Sequence, residues 1–354
     1  MKPDRLNFAL IGCGRIAQTH LQALSSIPEC RLKGVADIQK DAAQNMAHQF
    51  KCIAYNDYYQ LLNGHQIDAV IICTPPNTHA EITKIFLENG VHVLCEKPFA
   101  VDSEQAGSMI QTAEENDRIL MMASKFRYVE DINFAKNLIT SGILGDLILF
   151  ENVFCSKVDM CDRWNCNKKI SGGGVIFDNG SHSVDIARFF LGPIEKVWAE
   201  EGKRVQRLSV EDTAHIHFKT LSGVQGSIEL SWSIHKDCDA YVNIYGTEGE
   251  LSIGWKCSKY RQNEKPGWIF FGNGYDKLSA FKGQIKNFVS TIKGKEAPLI
   301  HSIDGLESVR VIETANRSLS MDKWLAVDGR KIINYSPTEL PDLKINLMAT
   351  DTLN

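Results

Sequence analysis

Residues 6–37 constrain the fold of this chain most. An apolar run, Leu6-Asn7-Phe8-Ala9-Leu10-Ile11, meets Gly12-Cys13-Gly14-Arg15-Ile16-Ala17, and a helix-like stretch follows to about Ser26. A second apolar run, Arg31-Leu32-Lys33-Gly34-Val35-Ala36, ends in Asp37. This spacing predicts a strand, a G-x-G-x-x-A turn, a helix, a second strand and a terminal acid, the order a dinucleotide-binding βαβ unit requires. Gly12 permits the tight turn, Gly14 lets the backbone approach a pyrophosphate, and the small Ala17 lets the helix pack close to the strand. The helix start at Arg15 and Ile16 offers free N–H groups and a positive dipole end to phosphate. Asp37 stands where a carboxylate takes the adenosine ribose hydroxyls and repels a 2′-phosphate. A glycine fingerprint alone also describes an ordinary strand–helix turn; the flanking strands and the acid favour the dinucleotide. NAD is expected rather than NADP, with Lys40 the nearby base that could accommodate a phosphate.

The same rhythm continues. Helices are expected over 41–50 and near 57–62, and Ala69-Val70-Ile71-Ile72-Cys73 is continuously apolar, as in a strand buried on both faces of a parallel sheet. It stops at Thr74-Pro75-Pro76-Asn77, a rigid loop at a strand's C-terminal end, where open α/β sheets bind ligands. Thr74, Pro75, Asn77 and His79 are therefore cofactor-edge candidates, although a plain turn explains the prolines equally well. A helix from His79 to about Asn89 closes at Gly90, and the strand Val91–Cys95 runs into Glu96-Lys97-Pro98. Glu96 and Lys97 lie at the same edge and are candidates for cofactor contact. Ser103 is expected to cap a helix through Asn116, and Ile119–Ala123 to be the last strand. The predicted class is α/β: a doubly wound parallel sheet in residues 1–123 and an α+β domain in 124–335, with 336–354 a loosely held tail.

With 354 residues, two domains are expected. A formal charge of −4 with no basic block argues against nucleic acid or an anionic membrane as partner. No apolar run approaches the roughly 18 residues of a membrane span, and the N-terminus enters a strand with no signal-like core, so a cytoplasmic location is expected. Of ten cysteines, none forms a C-x-x-C pair. Cys155, Cys161 and Cys166, with Asp159 and Asp162 between them, have the wrong spacing for the usual structural zinc patterns, and no metal is expected.

After Ser124 the pattern changes. A helix near 131–141 and a long strand over 146–154 precede an irregular polar stretch, 156–170, and Gly172-Gly173-Gly174. Beyond lies Asp178-Asn179-Gly180-Ser181-His182-Ser183-Val184-Asp185, entering an apolar helix to Leu191. In a helix, Asp178 and His182 are four apart and share a face. Strands near 197–201, 213–219, 225–233, 240–245 and 250–254 read as a mainly antiparallel open sheet with one face under helices, followed by helices near 281–293 and 303–320. His215 and His217 share a strand face and read as ordinary histidines rather than metal ligands. The exposed face of this sheet is an expected oligomer surface.

With these residues in view, the chain resembles the glucose-fructose oxidoreductase / inositol dehydrogenase / rhizopine catabolism (Gfo/Idh/MocA) family over nearly its whole length. The resemblance rests on Gly12-Cys13-Gly14-Arg15-Ile16-Ala17, on Glu96-Lys97-Pro98, and on Gly172-Gly173-Gly174 leading to Asp178, Gly180, His182 and Asp185. Val210-Glu211-Asp212-Thr213 and Gly246-Thr247-Glu248-Gly249 add to it. It implies NAD(P)-dependent chemistry on sugars, polyols and related molecules. It also implies that Lys97 and His182 face the substrate beside the nicotinamide with Asp178 on the same wall, that the Lys97–Pro98 bond is often cis, and a homo-oligomer such as a dimer or tetramer.

Oxidising a secondary alcohol requires a hydride acceptor and a base. His182 is the expected base, since imidazole titrates near neutrality. Lys97 is expected to stabilise the developing alkoxide, and Asp178 to orient the hydroxyl or Lys97. Asp185 either orients His182 or binds a backbone group, and the structural role is favoured. Arg127, Arg163, Trp164 and Lys168 are substrate candidates: Trp164 for stacking on a sugar face, the bases for phosphate or carboxylate. Solvated loop residues are the alternative for all four. The competing functions are a nucleotide-sugar oxidoreductase, a hydrolase using NAD as redox catalyst, and a non-catalytic dinucleotide sensor.

Overall fold

The computed structural model describes residues 5–64 and 66–327; the expected tail, 336–354, lies outside the described residues. Strands β1 (Leu6–Ile11), β2 (Cys30–Ala36), β3 (Ile53–Tyr55), β4 (Ala69–Ile72), β5 (His92–Glu96) and β6 (Leu120–Ala123) alternate with helices α1 (Arg15–Ser25), α2 (Lys40–Phe50), α3 (Tyr59–Gly64), α4 (His79–Glu88) and α5 (Ser103–Glu115). The strands form one parallel sheet in the order β3-β2-β1-β4-β5-β6. Strand order reverses between β1 and β4, so a crevice opens at their C-terminal ends, beside Gly12 and Thr74. The continuously apolar β4 is buried at all four positions, as a strand covered on both faces must be. Strand β3 carries no long apolar run and was not expected from the sequence. The cap of α5 is Asp102 rather than Ser103: its carboxylate accepts the Gln105 N–H at 2.7 Å, which places Ser103 inside the helix.

The second half builds α6 (Glu130–Thr140), β7 (Leu147–Cys155), α7 (Lys168–Ser171), α8 (Val175–Leu191), β8 (Ile194–Glu201), β9 (Thr213–Thr220), β10 (Gln225–Ser231), β11 (Ala240–Gly246), β12 (Gly249–Gly254), β13 (Ser258–Gln262), β14 (Ile269–Phe271), α9 (Lys277–Ile292), α10 (Ser302–Met321) and β15 (Leu325–Ala326). Among the described residues nine of these strands form a sheet in the order β14-β13-β12-β11-β7-β10-β9-β8-β15. It is antiparallel except for β7 and β10, which run parallel. Strand β9 alternates half-buried and buried residues along its length; one face of the sheet meets α8 at β9 and α10 at β8, and the other lies open.

Helix α9 belongs to the core of the first sheet although it comes late in the chain. Phe281, Ile285 and Phe288 are buried with Phe8 and Leu21, and the Phe288 ring meets Phe8 edge-on at 6.3 Å. The glycine run before α8 also has a packing cause. A Cβ on Gly174 would lie 2.1 Å from the Glu211 carbonyl oxygen, and on Gly173 2.5 Å from the Phe177 ring. That close approach lets Glu211 accept the N–H groups of Gly174 and Ile176 at 2.9 and 3.1 Å, so a carboxylate closes the positive end of α8. The Val210–Thr213 motif thus serves the helix that carries Asp178 and His182.

Candidate active site

The glycine turn is built to hold a dinucleotide. Gly12 has φ +89°, and a Cβ there would lie 2.7 Å from the Cys73 carbonyl carbon and the Thr74 nitrogen, so the β4 loop packs directly on the turn. A Cβ on Gly14 would meet nothing within 4 Å, which leaves open space over the start of α1. Helix α1 has no side-chain cap there, and Arg15 is exposed at its first position. Asp37 turns back into the crevice: it accepts the Cys13 N–H at 2.7 Å and the Gln39 N–H at 2.8 Å. Turn, open helix end and carboxylate together fit NAD. Asp37→Ser is expected to weaken NAD binding roughly 10–100-fold, the worth of a hydrogen bond to a charged group. It is also expected to narrow the preference over NADP; titration with both nucleotides, followed by protein fluorescence, checks this.

A cavity of about 510 Å³ continues from this turn into the second half of the chain. Ile16, Thr74, Glu96 and Lys97 line it from the first sheet, Lys125 and Phe126 from the segment after β6, and Asp178 and His182 from α8. Trp164, Trp255 and Tyr275 supply aromatic wall. Lys97 follows β5, its bond to Pro98 is cis, and its ammonium donates to the Asp178 carboxylate at 2.5 Å and the Asp178 carbonyl at 3.1 Å. Glu96 is held by His20, whose Nε2 lies 2.7 Å from Oε1. Burial pushes the Glu96 carboxyl up, but the His20 hydrogen bond and charge, with Lys97 and Lys125 nearby, outweigh it and hold the group below its ordinary range.

His182 lies four residues after Asp178 and is buried. Its Nε2 sits 3.1 Å from the Lys125 ammonium nitrogen, and its Nδ1 is buried with no hydrogen-bond partner. Burial first, then the charges of Lys125 and Lys97, push the imidazole well below its ordinary value, so it is neutral near pH 7. Burial and Lys97 likewise lower the Lys125 amine to about 7.

Several expected site residues lie elsewhere. Arg127 is buried and does not line the cavity; it pairs with Asp185 at 2.6 Å and Asp304 at 3.2 Å. Its partner Asp185 also accepts the Ser124 hydroxyl at 2.6 Å, consistent with a structural acid. Lys168 lines a separate outer groove with Ser103, Arg310 and Arg317, because the short α7 turns it away from the cavity. Arg163 precedes the turn carrying Trp164 but does not line the cavity, while Trp164 does, 40% exposed. His79 is fully buried; its ring nitrogens lie 2.9 Å from the Pro98 carbonyl and 2.8 Å from the Thr74 carbonyl, so it ties two cavity loops together rather than reaching a ligand. Pro75 and Asn77 share the Thr74 loop without lining the cavity.

Lys125, Tyr275, Lys277 and His20 were not singled out from the sequence. For Lys125 a signal existed: it follows the last parallel strand by two residues, at the ligand-binding edge. Away from the cavity, Glu200, His215 and His217 bring their ligand atoms within 4.8 Å of one another on the open face of β8 and β9, with His217 stacked on Trp198. Cys155, Cys161 and Cys166 form no such group among the described residues.

Two family models match this chain. The first, an oxidoreductase family with NAD-binding Rossmann fold, covers residues 6–124; the second, the GFO/IDH/MocA C-terminal domain, covers 132–252. The chain belongs to the Gfo/Idh/MocA family. As a member it is an NAD-dependent oxidoreductase. Among curated members, an inositol 2-dehydrogenase of Rhizobium meliloti is 26% identical over 91% of this chain and 99% of its own. A myo-inositol 2-dehydrogenase of Thermotoga maritima is 24% identical over 89% and 96%. Among solved structures, a levoglucosan dehydrogenase in complex with NADH and levoglucosan superposes with a TM-score of 0.86 at 21% identity, over 92% of this chain and all of that one, a likeness of fold. No helix among the described residues is long and apolar enough to cross a membrane.

Proposed function

We propose that this Gfo/Idh/MocA member is a dehydrogenase or reductase of a secondary alcohol or ketone on a sugar, polyol or sugar derivative. The observation that carries the reading is the meeting of Lys97, Asp178 and His182 on the wall of one cavity that Ile16 of the dinucleotide turn and Thr74 of the loop packed on that turn also line. The inositol and levoglucosan dehydrogenases among its relatives support the substrate class. A bound nicotinamide supplies the hydride acceptor. The chain's own residues do the rest: Lys97 donates to the reacting oxygen as charge develops, Asp178 holds Lys97 and the hydroxyl in register, and the aromatic walls exclude water and pack on the sugar face. The nucleotide-sugar reading loses support, since neither Arg163 nor Lys168 lines the cavity.

The test is reduced-nicotinamide absorbance after mixing the purified protein and NAD with inositols, linear polyols, free sugars, anhydrosugars and nucleotide sugars. Turnover is expected with a polyol or sugar. Turnover with nucleotide sugars alone would replace this reading, and tight NAD binding with silence across the whole panel would return the sensor. The open face of the nine-stranded sheet supports a homo-oligomer built on that face, and the absence of any membrane-spanning helix among the described residues is consistent with a cytoplasmic protein. A monomer by light scattering would remove the oligomer proposal.

A further inference from the structure

Lys125 is a titratable group in the cavity that lies outside the family motifs and contacts one of their residues, His182. It follows β6, lines the cavity, and its Nζ sits 3.1 Å from His182 Nε2 and 4.9 Å from the Phe126 ring centre. His182 therefore has no nitrogen facing the cavity unengaged: Nε2 is on Lys125, and Nδ1 is buried against protein. Both residues line the cavity, and the group that meets the imidazole there is the amine. The charges around that amine are unequal. Lys97 is neutralised by Asp178 and Glu96 is paired with His20. Lys277 adds a further positive charge from α9, Tyr275 contributes a phenol pushed up by burial, and no carboxylate forms an ion pair with Lys125 among the described residues. A lysine buried in a cavity wall, with Lys97 and Lys277 nearby and no anion paired to it, gives up its proton readily.

We propose that Lys125, and not His182, is the base that takes the hydroxyl proton, with His182 the acceptor that aims it; this rests on the alcohol-oxidation reading of the cavity. With His182 protonated on Nδ1, one N–H of the neutral Lys125 amine donates to Nε2, and the amine lone pair is left for the substrate. The substrate O–H bond breaks and a third N–H bond forms on Nζ, while the carbon's hydrogen leaves with its electron pair for the nicotinamide and the C–O bond becomes a carbonyl. The resulting ammonium keeps its hydrogen bond to Nε2, now charge-assisted and stronger, and afterwards loses the proton to water. The neutral His182 never changes charge. The amine, lowered to about 7, is poised to exchange protons near neutral pH.

Two measurements test this, one independent of substrate. The NAD-saturated protein is pulsed with acetic anhydride across pH 5–11, and labelling of each lysine is read by mass spectrometry. Lys125 is expected to label with a midpoint near 7, against about 10 for surface lysines; a midpoint among the surface lysines overturns the proposal. The second uses the panel member that gives the fastest NADH appearance. kcat/KM is expected to rise with pH through about 7, because the free amine is the active form and its fraction grows as pH rises through its pKa. Lys125→Met, still binding NAD, is expected to fall about 10²–10³-fold and lose that limb. Methylamine is expected to restore part of the rate to Lys125→Ala, while His182→Gln, whose amide oxygen can still accept from the amine, keeps a limb. A limb that survives in Lys125→Met and vanishes in His182→Gln makes His182 the base. A panel without turnover would count against the alcohol-oxidation reading, while the labelling result would still decide whether Lys125 is a poised amine.

Discussion

Lys97→Met is expected to lower kcat about 10²–10³-fold, the cost of removing one donor aimed at a developing oxyanion, while NAD affinity changes no more than a few-fold. The expectation follows from where the ammonium is held. It stands at the end of β5, donates to both the carboxylate and the carbonyl of Asp178, and its side chain is 15% exposed into the cavity. A donor fixed before substrate arrives costs little reorganisation when charge appears on the oxygen. Methionine keeps the length and apolar stem but has no donor. The cofactor should be nearly indifferent, because the glycine turn, the open start of α1 and Asp37 keep their groups when Lys97 changes. Steady-state kinetics with the best panel substrate, together with an NAD titration, measure both quantities; a kcat within three-fold of wild type would remove Lys97 from the reaction.

Arg127→Met is expected to destabilise the protein by about 3–5 kcal/mol, because removing one partner of a buried ion pair leaves the other charge unpaired. The guanidinium makes two contacts to the Asp185 carboxylate, at 2.6 and 3.1 Å, and one to Asp304 at 3.2 Å. Burial works against the charged form of Arg127, yet Asp185 and Asp304 overcompensate and push its pKa above the usual value. The network joins the segment after β6 to α8 and to the start of α10, so it sets how Lys125 faces His182. Arg127→Met should therefore lose activity as well as stability. Adding Asp185→Leu is expected to recover part of the stability by removing the stranded carboxylate. Urea unfolding of wild type, single and double variants checks this; a single-variant loss below about 1 kcal/mol would mean the pair is solvated.

Much of the site was legible because local patterns carried it. The strand–turn–helix–strand–acid order is a short-range property, and the structure has Asp37 accepting the Cys13 N–H within that same unit. Asp178 and His182 share a face for the simple reason that a helix repeats every 3.6 residues. Lys97 stands out because a charge after a buried strand falls at the sheet's ligand edge. Arg127 and His79 do not line the cavity for one reason: both lie next to its loops in sequence, but where a polar side chain points depends on its partners in space. Arg127 finds Asp185 and Asp304, 58 and 177 residues away. His79 bridges two loop carbonyls across the base of the cavity.

The sequence by itself determined the kind of protein: a parallel dinucleotide-binding sheet followed by a mainly antiparallel one, a Gfo/Idh/MocA resemblance, and Asp37, Lys97, Asp178 and His182 as candidate site residues. These follow from periodicity, turn residues and short spacings, which the chain carries locally. Only the tertiary structure decided which charges neutralise one another. Asp178 goes to Lys97, 81 residues away, and Glu96 goes to His20, which leaves Lys125 with an imidazole for a partner. Proton affinities in a cavity depend on those distances and on burial, and a linear order of residues contains neither.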